Sequence, residues 1–311
     1  MRSEFEFIHN IKKRFNLEAI GDDCAVLPFS DTHDLVISSD LLVQDVDFRL
    51  LWATPEQIGH KTVAVSLSDI AAMGGSPIWA MLSLAVPDNL WKTDFLDKFY
   101  TGWHALADKY DVKLVGGDIS RTDGPFIADS TVAGQVPHGK AILRSGAKPG
   151  DAIFVSGTLG GAAGALNLLE SNTEIDPEFA KFQLEPQPQL QLAKLLIDNN
   201  IASSMIDVSD GLSSDIGNIC NESRCGAQIV VENVAVNTEL SRYFDVTSAF
   251  DLALHGGEDF QLLFTVPQEK ISLLKNEPVS LIGTITANVG IIELSTNGES
   301  SILTPKGYQH F

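Results

Sequence analysis

The stretch TPEQIGHKTVAVSLSDIAAMGG, residues 54–75, does most to decide the fold of this chain. Its first four residues form a capping box with proline at the first helical position, so a helix is predicted to begin beside Thr54. The pair Gly74-Gly75 predicts where that helix ends. A strand is predicted over residues 78–86, because the run there is short and apolar. A helix that leads at once into a strand is typical of a mixed α/β protein.

Helices and strands alternate on both sides of this stretch. Towards the N-terminus we predict a short amphipathic helix over 5–15, a turn at 21–23 followed by a strand, and a strand over 34–43. Towards the C-terminus the predicted elements are a helix over about 90–110, strands over 112–115, 126–136, 152–156, 205–208, 228–231, 260–266 and 279–285, and helices at about 161–169, at 190–197 and near Phe250 and Ile271. Ser209 is expected to cap the helix that follows the strand at 205–208. The predicted fold class is α/β (α+β), with both halves of the chain mixed.

A loop-like segment divides the chain almost in half. With 311 residues, the chain is long enough for about two domains. Residues 144–151, RSGAKPGD, are rich in glycine, proline and polar residues, which is typical of a domain boundary. We therefore predict an N-terminal domain over 1–143 and a C-terminal domain, an α/β sandwich, over 144–311.

The composition argues against several classes of function. Asp and Glu outnumber Lys and Arg by 41 to 21, a net charge of −20, so no binding to nucleic acid or to an anionic membrane surface is expected. Glycines and a proline interrupt the apolar run over 71–87, which is also shorter than the ~20 residues of a membrane span. The acidic N-terminus is unlike a signal peptide, and three cysteines without a C-x-x-C pair suit reduced thiols. We therefore expect a cytoplasmic protein.

Two glycine-rich segments match phosphate-binding loops only in part. GQVPHGK at residues 134–140 has the glycines and lysine of a P-loop, but Ala141 follows where a hydroxyl would bind Mg²⁺. No helix whose N-terminus could hold phosphates is predicted after it. GTLGGAAG at residues 157–164 opens a helix without the G-x-G-x-x-G spacing. Close helix packing or a general anion contact is the expected role of this second segment.

Aspartates recur beside glycine or serine at predicted strand ends and helix starts. A single aspartate in such a place is usually a helix cap or a turn residue. A convergent set could not all ionise in a cleft without cations, and Asp and Ser oxygens are hard ligands that suit Mg²⁺. The segments concerned are 22–23, 38–40, 69, 116–118 and 207–211. The residues alone thus favour an acidic two-domain α/β protein that uses Mg²⁺ and a phosphorylated ligand.

Seven motifs follow one another along nearly the whole chain. They are GDDCAVL (21–27), SSDLLV (38–43), SLSDIAAMGGSP (66–77), LVGGD (114–118), RSGAKPGD (144–151), IDVSDGLSSD (206–215) and HGGEDFQLLFTVP (255–267). In this order they resemble the thiamine-monophosphate kinase family. Single motifs are shared with a wider superfamily that includes aminoimidazole ribonucleotide synthetase, selenophosphate synthetase and a hydrogenase-maturation dehydratase. The resemblance implies ATP-dependent phosphorylation of thiamine monophosphate to thiamine diphosphate, and a homodimer whose N-terminal domain sheets pair across the interface.

The resemblance also implies roles for individual residues. Several Mg²⁺ ions are implied at Asp23, Ser38, Ser39, Asp40, Asp69, Asp118, Asp207 and Asp210, and ATP contacts at Tyr100, Gly117, Asp118, Arg144 and Ser209. Contacts to the substrate are implied at Asp47, at Glu258 through the aminopyrimidine, and at Tyr308 through the thiazolium cation. Asp47 stands where the family usually has a histidine, and Ile119 where a threonine is common. These departures affect substrate contacts more than the aspartate set.

The implied reaction is direct in-line phosphoryl transfer. The attacking phosphate oxygen of thiamine monophosphate is already an anion, so no protein nucleophile or general base is needed. On this expectation Asp207, Asp210 and Arg144 are the catalytic residues that act on the phosphates, together with Mg²⁺. Two alternatives stay open: another ATP-using member of the superfamily, acting on an amide, a selenide or a thiocarboxamide, and a nucleotide-binding regulator without turnover.

Overall fold

The computed structural model describes residues 4–17 and 19–307 of the chain. The elements of the first half are α1 (Glu4–Phe15), β1 (Ala25–Pro28), β2 (His33–Val43), α2 (Pro55–Ala72), β3 (Ser76–Pro87), α3 (Asp88–Trp91), α4 (Phe95–Lys109), β4 (Lys113–Thr122) and β5 (Ile127–Pro137). Those of the second half are β6 (Ala152–Ser156), α5 (Gly161–Glu170), α6 (Pro177–Leu184), α7 (Leu190–Asp198), β7 (Ser204–Asp207), α8 (Leu212–Ser223), β8 (Gly226–Val230), α9 (Val246–His255), β9 (Leu262–Val266), β10 (Val279–Thr286), β11 (Ile292–Thr296) and β12 (Glu299–Ile302), with 3₁₀ turns at Val231–Asn233, Thr238–Arg242 and Gln268–Leu274. The predicted mixed α/β class is confirmed.

The N-terminal half is built on a five-stranded sheet in the order β1-β2-β5-β3-β4. Neighbouring strands are antiparallel except β3 and β4, which are parallel. Helix α2 lies against β2 and β5 on one face of the sheet, and α4 packs on α2. The other face is open, because Leu41 and Met81 on it are 56% and 43% exposed. We call it the open face.

The C-terminal half is built on a seven-stranded sheet in the order β12-β11-β8-β10-β6-β9-β7. Within this sheet, among the strands that the structure describes, β8 and β11 pair in parallel and all other neighbours are antiparallel. Strands β6, β7 and β9 are buried at every position. These strands are covered on both faces, and the buried positions include the polar residues Ser156, Ser204, Asp207 and Thr265.

Helix α2 connects the two halves. Its capping box is present as predicted, with Thr54 Oγ1 accepting from Gln57 N at 3.3 Å and Gln57 Oε1 accepting from Thr54 N at 3.0 Å. Most of its 18 residues are buried, because it contacts β2 and β5 on one side and α6, α7 and β7 on others. One helix therefore brings N-terminal side chains next to C-terminal ones.

Among the described helices none is long and apolar enough to cross a bilayer.

Helices α2 and α4 approach so closely that glycine is needed where they cross. A Cβ atom at Gly102 would lie 1.8 Å from the carbonyl oxygen of Glu56, and one at Gly59 would lie 2.0 Å from that of Phe99. Gly102→Ala is therefore expected to force the helices apart and to lower the free energy of unfolding by about 3 kcal/mol. Chemical denaturation measures the change. Gly217→Ala, in α8, is the matched control, because its Cβ would meet only Ile292 Cδ1 at 3.8 Å; equal stabilities of the two variants would contradict the prediction.

Several local predictions need correction. The helix predicted over 90–110 is interrupted between α3 and α4, because Thr93 Oγ1 donates to Leu90 O at 2.8 Å and accepts from Phe95 N at 3.2 Å. The segment near Ile271 is a 3₁₀ turn, and β11 and β12 were not predicted.

The strand predicted over 112–115 continues to Thr122, because β4 pairs with β3 along its whole length. Asp118 therefore lies inside a strand, as does Asp40 in β2, and the prediction that these aspartates lie at strand ends was wrong.

Candidate active site

Three carboxylates from distant parts of the sequence meet where the two halves join. Asp23 lies in the bend before β1, Asp69 lies in the last turn of α2, and Asp207 is the last residue of β7. One oxygen of each lies within 4.8 Å of the other two. This spacing allows one divalent cation to contact all three carboxylates. We call Asp23, Asp69 and Asp207 the acidic cluster.

Serine hydroxyls hold the edge of the acidic cluster that faces β2. Ser38 Oγ donates to Asp69 Oδ2 and, at 3.2 Å, is within reach of Asp40 Oδ2. Ser66 Oγ, from α2, donates to the same oxygen of Asp40 at 2.8 Å. The structure therefore brings the predicted metal-binding residues Ser38, Asp40 and Asp69 together.

Arg144, in the segment between the two halves, binds to the acidic cluster and to the aspartate beside it. Its Nη2 donates to Asp23 Oδ1 at 2.5 Å and its Nε to the same oxygen at 3.2 Å, while its backbone N donates to Asp22 Oδ1 at 2.6 Å. The Asp23 side chain is 1% exposed. Its second oxygen, Oδ2, is buried and has no hydrogen-bond partner among the described residues. A buried carboxylate oxygen without a donor fits a site that takes a cation.

Burial dominates the electrostatics of the cluster. It raises the pKa of Asp69 well above its ordinary value, and the charges of Asp40, Asp207 and Asp23 raise it further. Burial and then the charge of Asp23 raise the pKa of Asp207 to about 7, although Ser68 Oγ donates to it at 2.5 Å. A bound cation would favour the ionised forms instead. The donor set of carboxylate and hydroxyl oxygens fits Mg²⁺.

Without a cation, the acidic cluster is expected to make the protein less stable as pH rises. The folded-state pKa of Asp207, about 7, lies above its ordinary 3.8, so the folded chain binds more protons than the unfolded chain between these values. The free energy of unfolding therefore falls as pH rises through this window. Melting temperatures in chelator at pH 5, 6, 7 and 8 measure the fall, and Mg²⁺ at pH 8 should reverse it. A melting temperature that rises with pH in chelator would contradict the prediction.

Two predicted metal-binding residues lie elsewhere on the five-stranded sheet. Ser39 points to the open face, where its Oγ is 3.2 Å from both carboxylate oxygens of Asp129. Asp118, exposed on β4, is in register with Ser83, which is in register with Asp129 on its other side. Asp40 lies on the opposite face, because side chains alternate along a strand. The predicted metal residues thus form two groups.

The segment after β7 carries Asp210 and a further buried carboxylate. Asp215 Oδ2 accepts from Asp210 N at 3.2 Å and from Gly211 N at 3.1 Å. Burial and then the charge of Asp210 raise the pKa of Asp215 well above its ordinary value. Sequence reasoning gave Asp215 no role, although it lies in the motif that contains Asp207 and Asp210.

Ser209 does not cap the next helix, so that prediction was wrong. The residue before α8 is Gly211, and no side chain caps it. The chain stays extended beyond β7, because Ser209 O accepts from Glu258 N at 2.8 Å and Val208 N donates to Gln261 O at 2.7 Å. This pairing delays the helix, and it ties the segment of Asp207 and Asp210 to the segment of Glu258.

A cleft of about 350 Å³ lies beside this connection and is lined by both halves of the chain. Its walls include Asp47, Trp52 and Lys61 from the first half and Gln183 and Glu258 from the second. The two predicted substrate residues that the structure describes, Asp47 and Glu258, are therefore in one cleft. Tyr308, the third, lies outside the described residues.

Contacts inside the cleft involve two residues that sequence reasoning missed. Lys61 Nζ is 2.7 Å from Glu258 Oε1 and donates to the backbone O of Asp47 at 3.2 Å. Gln183 Nε2 donates to Glu258 Oε2. The Asp47 carboxylate accepts from Val43 N at 2.7 Å. The available signal for Lys61 was a lysine directly before the apolar and small residues 62–68 of α2.

The predicted ATP contacts lie on separate elements, with Tyr100 on α4 and Gly117 on β4. Tyr100 is half-buried on α4, where its ring stands perpendicular to that of Phe99 at 5.9 Å. Gly117 lies inside β4, where a Cβ atom would be 1.8 Å from the carbonyl oxygen of Leu82. Close strand packing therefore explains this glycine, and the ATP contacts of Tyr100 and Gly117 stay predictions.

An internal carboxylate contacts the glycine-rich segment over 157–164. Asp259 Oδ2 accepts from Gly160 N at 2.6 Å and its Oδ1 from Ala162 N at 3.1 Å, at the start of α5. The anion at this helix N-terminus is thus a side chain of the protein itself.

Comparisons with known proteins agree over nearly the full chain. The family models "AIR synthase related protein, N-terminal domain" and "AIR synthase related protein, C-terminal domain" match residues 21–136 and 148–293. The chain is 39% identical over 305 residues to thiamine-monophosphate kinase of Escherichia coli (strain K12), a match that covers 94% of this chain and 91% of that one. It is 35% identical over 326 residues to the thiamine-monophosphate kinase of Bacillus subtilis (strain 168), covering 99% of both.

The chain belongs to the thiamine-monophosphate kinase family. A solved structure described as "AaThiL complexed with AMPPCP and TMP" superposes on it with a TM-score of 0.89 at 30% identity, over 99% of this chain and 97% of that one. A HypE–HypF complex contains a chain with a TM-score of 0.80 but 17% identity, which shows a shared fold alone. The thiamine-monophosphate kinase family is thus supported over the other superfamily members.

Proposed function

We propose that this chain transfers the γ-phosphoryl group of ATP to thiamine monophosphate and forms thiamine diphosphate. The observation that carries the proposal is that the acidic cluster and the cleft are built partly from two segments that pair with each other. Asp207 and Glu258 belong to two segments joined by the hydrogen bond from Glu258 N to Ser209 O. A substrate whose organic part lies in the cleft would therefore present its phosphate towards the acidic cluster.

The charge of the cleft supports a cationic organic group. Carboxylates outnumber cationic side chains in its lining; these are Asp45, Asp47, Glu170 and Glu258 against Arg49 and Lys61. The Trp52 ring accepts a cation in this structure, because the carbon of the Arg49 guanidinium lies 4.4 Å from the ring centroid. An aromatic face in an acidic cleft suits a thiazolium ring.

The phosphate chemistry belongs to the acidic cluster and its neighbours. The carboxylates of Asp23, Asp69 and Asp207, with Asp40 and Asp210, would hold Mg²⁺, whose charge when bound offsets the repulsion between the two phosphorylated substrates. Motif resemblance adds Ser38, Ser39 and Asp118 to this set, and Tyr100, Gly117, Asp118, Arg144 and Ser209 to the ATP contacts.

Arg144 is placed to act on the phosphates. Its Nε and Nη2 both donate to Asp23 Oδ1. A guanidinium has five N–H donors, so further N–H groups remain for phosphate oxygens. In the proposed reaction the phosphate oxygen of thiamine monophosphate forms a bond to the γ-phosphorus in line with the bond to ADP, which breaks. Asp207, Asp210 and Arg144 position and stabilise these groups without a covalent intermediate.

The test measures ADP and thiamine diphosphate together. Purified protein, ATP and Mg²⁺ are incubated with thiamine monophosphate, with thiamine and with no acceptor, and the products are separated by chromatography. We expect ADP and thiamine diphosphate in a one-to-one ratio with the monophosphate alone. ADP without thiamine diphosphate would favour another acceptor, and no ADP at all would favour a nucleotide-binding regulator.

We further propose a homodimer formed through the N-terminal sheets. Strand β4 is an edge strand in the described chain, and Val115 and Ile119 on it are 60% and 47% exposed. Exposed apolar edges of this kind are suited to pairing with another strand. Light scattering after size exclusion should give twice the chain mass of 33.6 kDa, and a monomeric mass would contradict the proposal.

We also propose the division into domains at residues 143 and 144 and a cytoplasmic location. Separate sheets on either side of residues 144–151 support the first. The three cysteines, Cys24, Cys220 and Cys225, are free and buried, which supports a reducing compartment.

A further inference from the structure

Lys61 is a buried cation at the point where the two walls of the cleft meet. Its side chain is 3% exposed, and it lies in α2 directly before residues 62–68, which are all apolar or small. Its Nζ lies 2.7 Å from Glu258 Oε1 in the C-terminal half and 3.2 Å from the backbone O of Asp47 in the N-terminal half. A lysine is rarely this buried unless its charge is paired, so Glu258 explains its position.

Each oxygen of the Glu258 carboxylate has its own donor. Lys61 approaches Oε1, and Gln183 Nε2 donates to Oε2. A carboxylate has about four lone-pair sites, so two donors fix its orientation and leave sites for a ligand. The Glu258 side chain is 29% exposed and lines the cleft, so its remaining lone pairs can be reached from there.

The backbone at Glu258 is held as firmly as its side chain. Its φ of +66° lies in the left-handed region, which a non-glycine residue rarely adopts. Gly257 is packed so tightly that a Cβ atom on it would lie 2.4 Å from the carbonyl oxygen of Ser209. The strained backbone at Glu258 and the close packing at Gly257 indicate that the position of the Glu258 carboxylate is important for function.

We propose that Lys61 is a positioning residue that orients the Glu258 carboxylate towards the exocyclic amino group of the substrate pyrimidine. The inference rests on the proposed function, because it takes an aminopyrimidine as the occupant of the cleft. An N–H donor of the substrate meets an oriented acceptor, whereas an analogue with an oxo group at that position presents a second acceptor and is rejected. Lys61 thereby sets the preference for the amino over the oxo form without touching the substrate.

The test compares Lys61→Met with wild type on two ligands. These are thiamine monophosphate and its analogue in which an oxo group replaces the pyrimidine amino group. We expect Lys61→Met to raise KM for thiamine monophosphate on the order of 10-fold and to reduce the preference for the amino form by a similar factor. The kcat at saturation and KM for ATP should change little, and Lys61→Arg should restore part of the preference. An unchanged preference in an active variant would overturn the proposal, as would an equal rise in KM for ATP.

Two controls keep the result interpretable. Lys181→Met removes a lysine that pairs with Glu178 at the same 2.7 Å, but whose side chain is 44% exposed, and it should leave both ligands unaffected. If Lys61→Met does not fold, the double variant Lys61→Met, Glu258→Gln removes both charges and should show no preference for the amino form. Retained preference in the folded double variant would refute the inference.

Calorimetric titration of both ligands distinguishes a failure of the proposed function from a failure of the role proposed for Lys61. Wild type that binds the amino form better but forms no thiamine diphosphate would overturn the proposed function while leaving the role of Lys61 supported if Lys61→Met loses that preference. Wild type that forms thiamine diphosphate but binds both ligands equally would overturn only the inference about Lys61.

Discussion

Asp69→Asn is expected to remove most phosphoryl transfer while raising the melting temperature of the metal-free protein. The substitution removes a carboxylate that lies within 4.8 Å of two others, so it relieves repulsion between like charges in a buried site. The same change removes a ligand for the cation on which the proposed reaction depends. We expect a loss of turnover on the order of 10³-fold, about 4 kcal/mol of transition-state stabilisation.

The two effects are measured separately. Melting temperatures are recorded in chelator and in Mg²⁺ at pH 8, where repulsion in the wild-type cluster is greatest. Asp151→Asn is the matched control, because this buried aspartate accepts from Lys148 N at 3.0 Å and from Ser203 Oγ at 2.7 Å, away from the acidic cluster. It should lower the melting temperature in both conditions. Lower stability of Asp69→Asn in chelator would show that repulsion does not dominate the metal-free cluster.

Arg144→Met is expected to have the opposite effect on the metal-free protein. Asp23 is almost fully buried and would lose the guanidinium that now contacts its Oδ1. Leaving a buried carboxylate unpaired costs up to about 3 kcal/mol, less than for a fully buried pair because Arg144 is itself partly exposed. Turnover should fall on the order of 10²-fold, since the variant also loses donors for phosphate oxygens.

Mg²⁺ should restore part of the stability of Arg144→Met but not its turnover. Arg242→Met is the control, because Arg242 contacts Glu239 at 2.6 Å but is 58% exposed and far less buried than Arg144. An exposed pair of this kind contributes little to stability. If both variants lost the same stability, the contact between Arg144 and Asp23 would have no special role in the cluster.

The opposite signs of these two predictions follow from one feature of the site. The acidic cluster has more negative charge than its single guanidinium partner balances. Removing a carboxylate therefore raises the stability of the metal-free protein, whereas removing the guanidinium of Arg144 lowers it. With a divalent cation bound, removing a carboxylate instead lowers stability, because each lost carboxylate weakens metal binding. Stability and activity are thus expected to respond in different directions to changes at the same site.

The sequence by itself determined the local structure around α2. The capping box at Thr54 and the glycines at 74 and 75 mark the ends of the helix because they satisfy or release backbone groups within a few residues. The same local logic excluded a P-loop over 134–140, where the structure has the end of β5 and a turn. It also indicated hard oxygen ligands, because residue type alone decides that chemistry.

Only the tertiary structure decided which of these residues meet. Asp23, Asp69 and Asp207 come from a bend, a helix end and a strand end. No periodicity in the sequence predicts that α2 packs on β7. Which faces Ser39 and Asp40 take depended on the side of the five-stranded sheet that α2 covers. Ser66 of α2 donates to Asp40, whereas Ser39 is left on the open face beside Asp129. Lys61 acquired its partners because one helix is covered by both halves. Local signals fix backbone dihedral angles over a few residues, whereas the site depends on contacts that form only when the two sheets and α2 pack together.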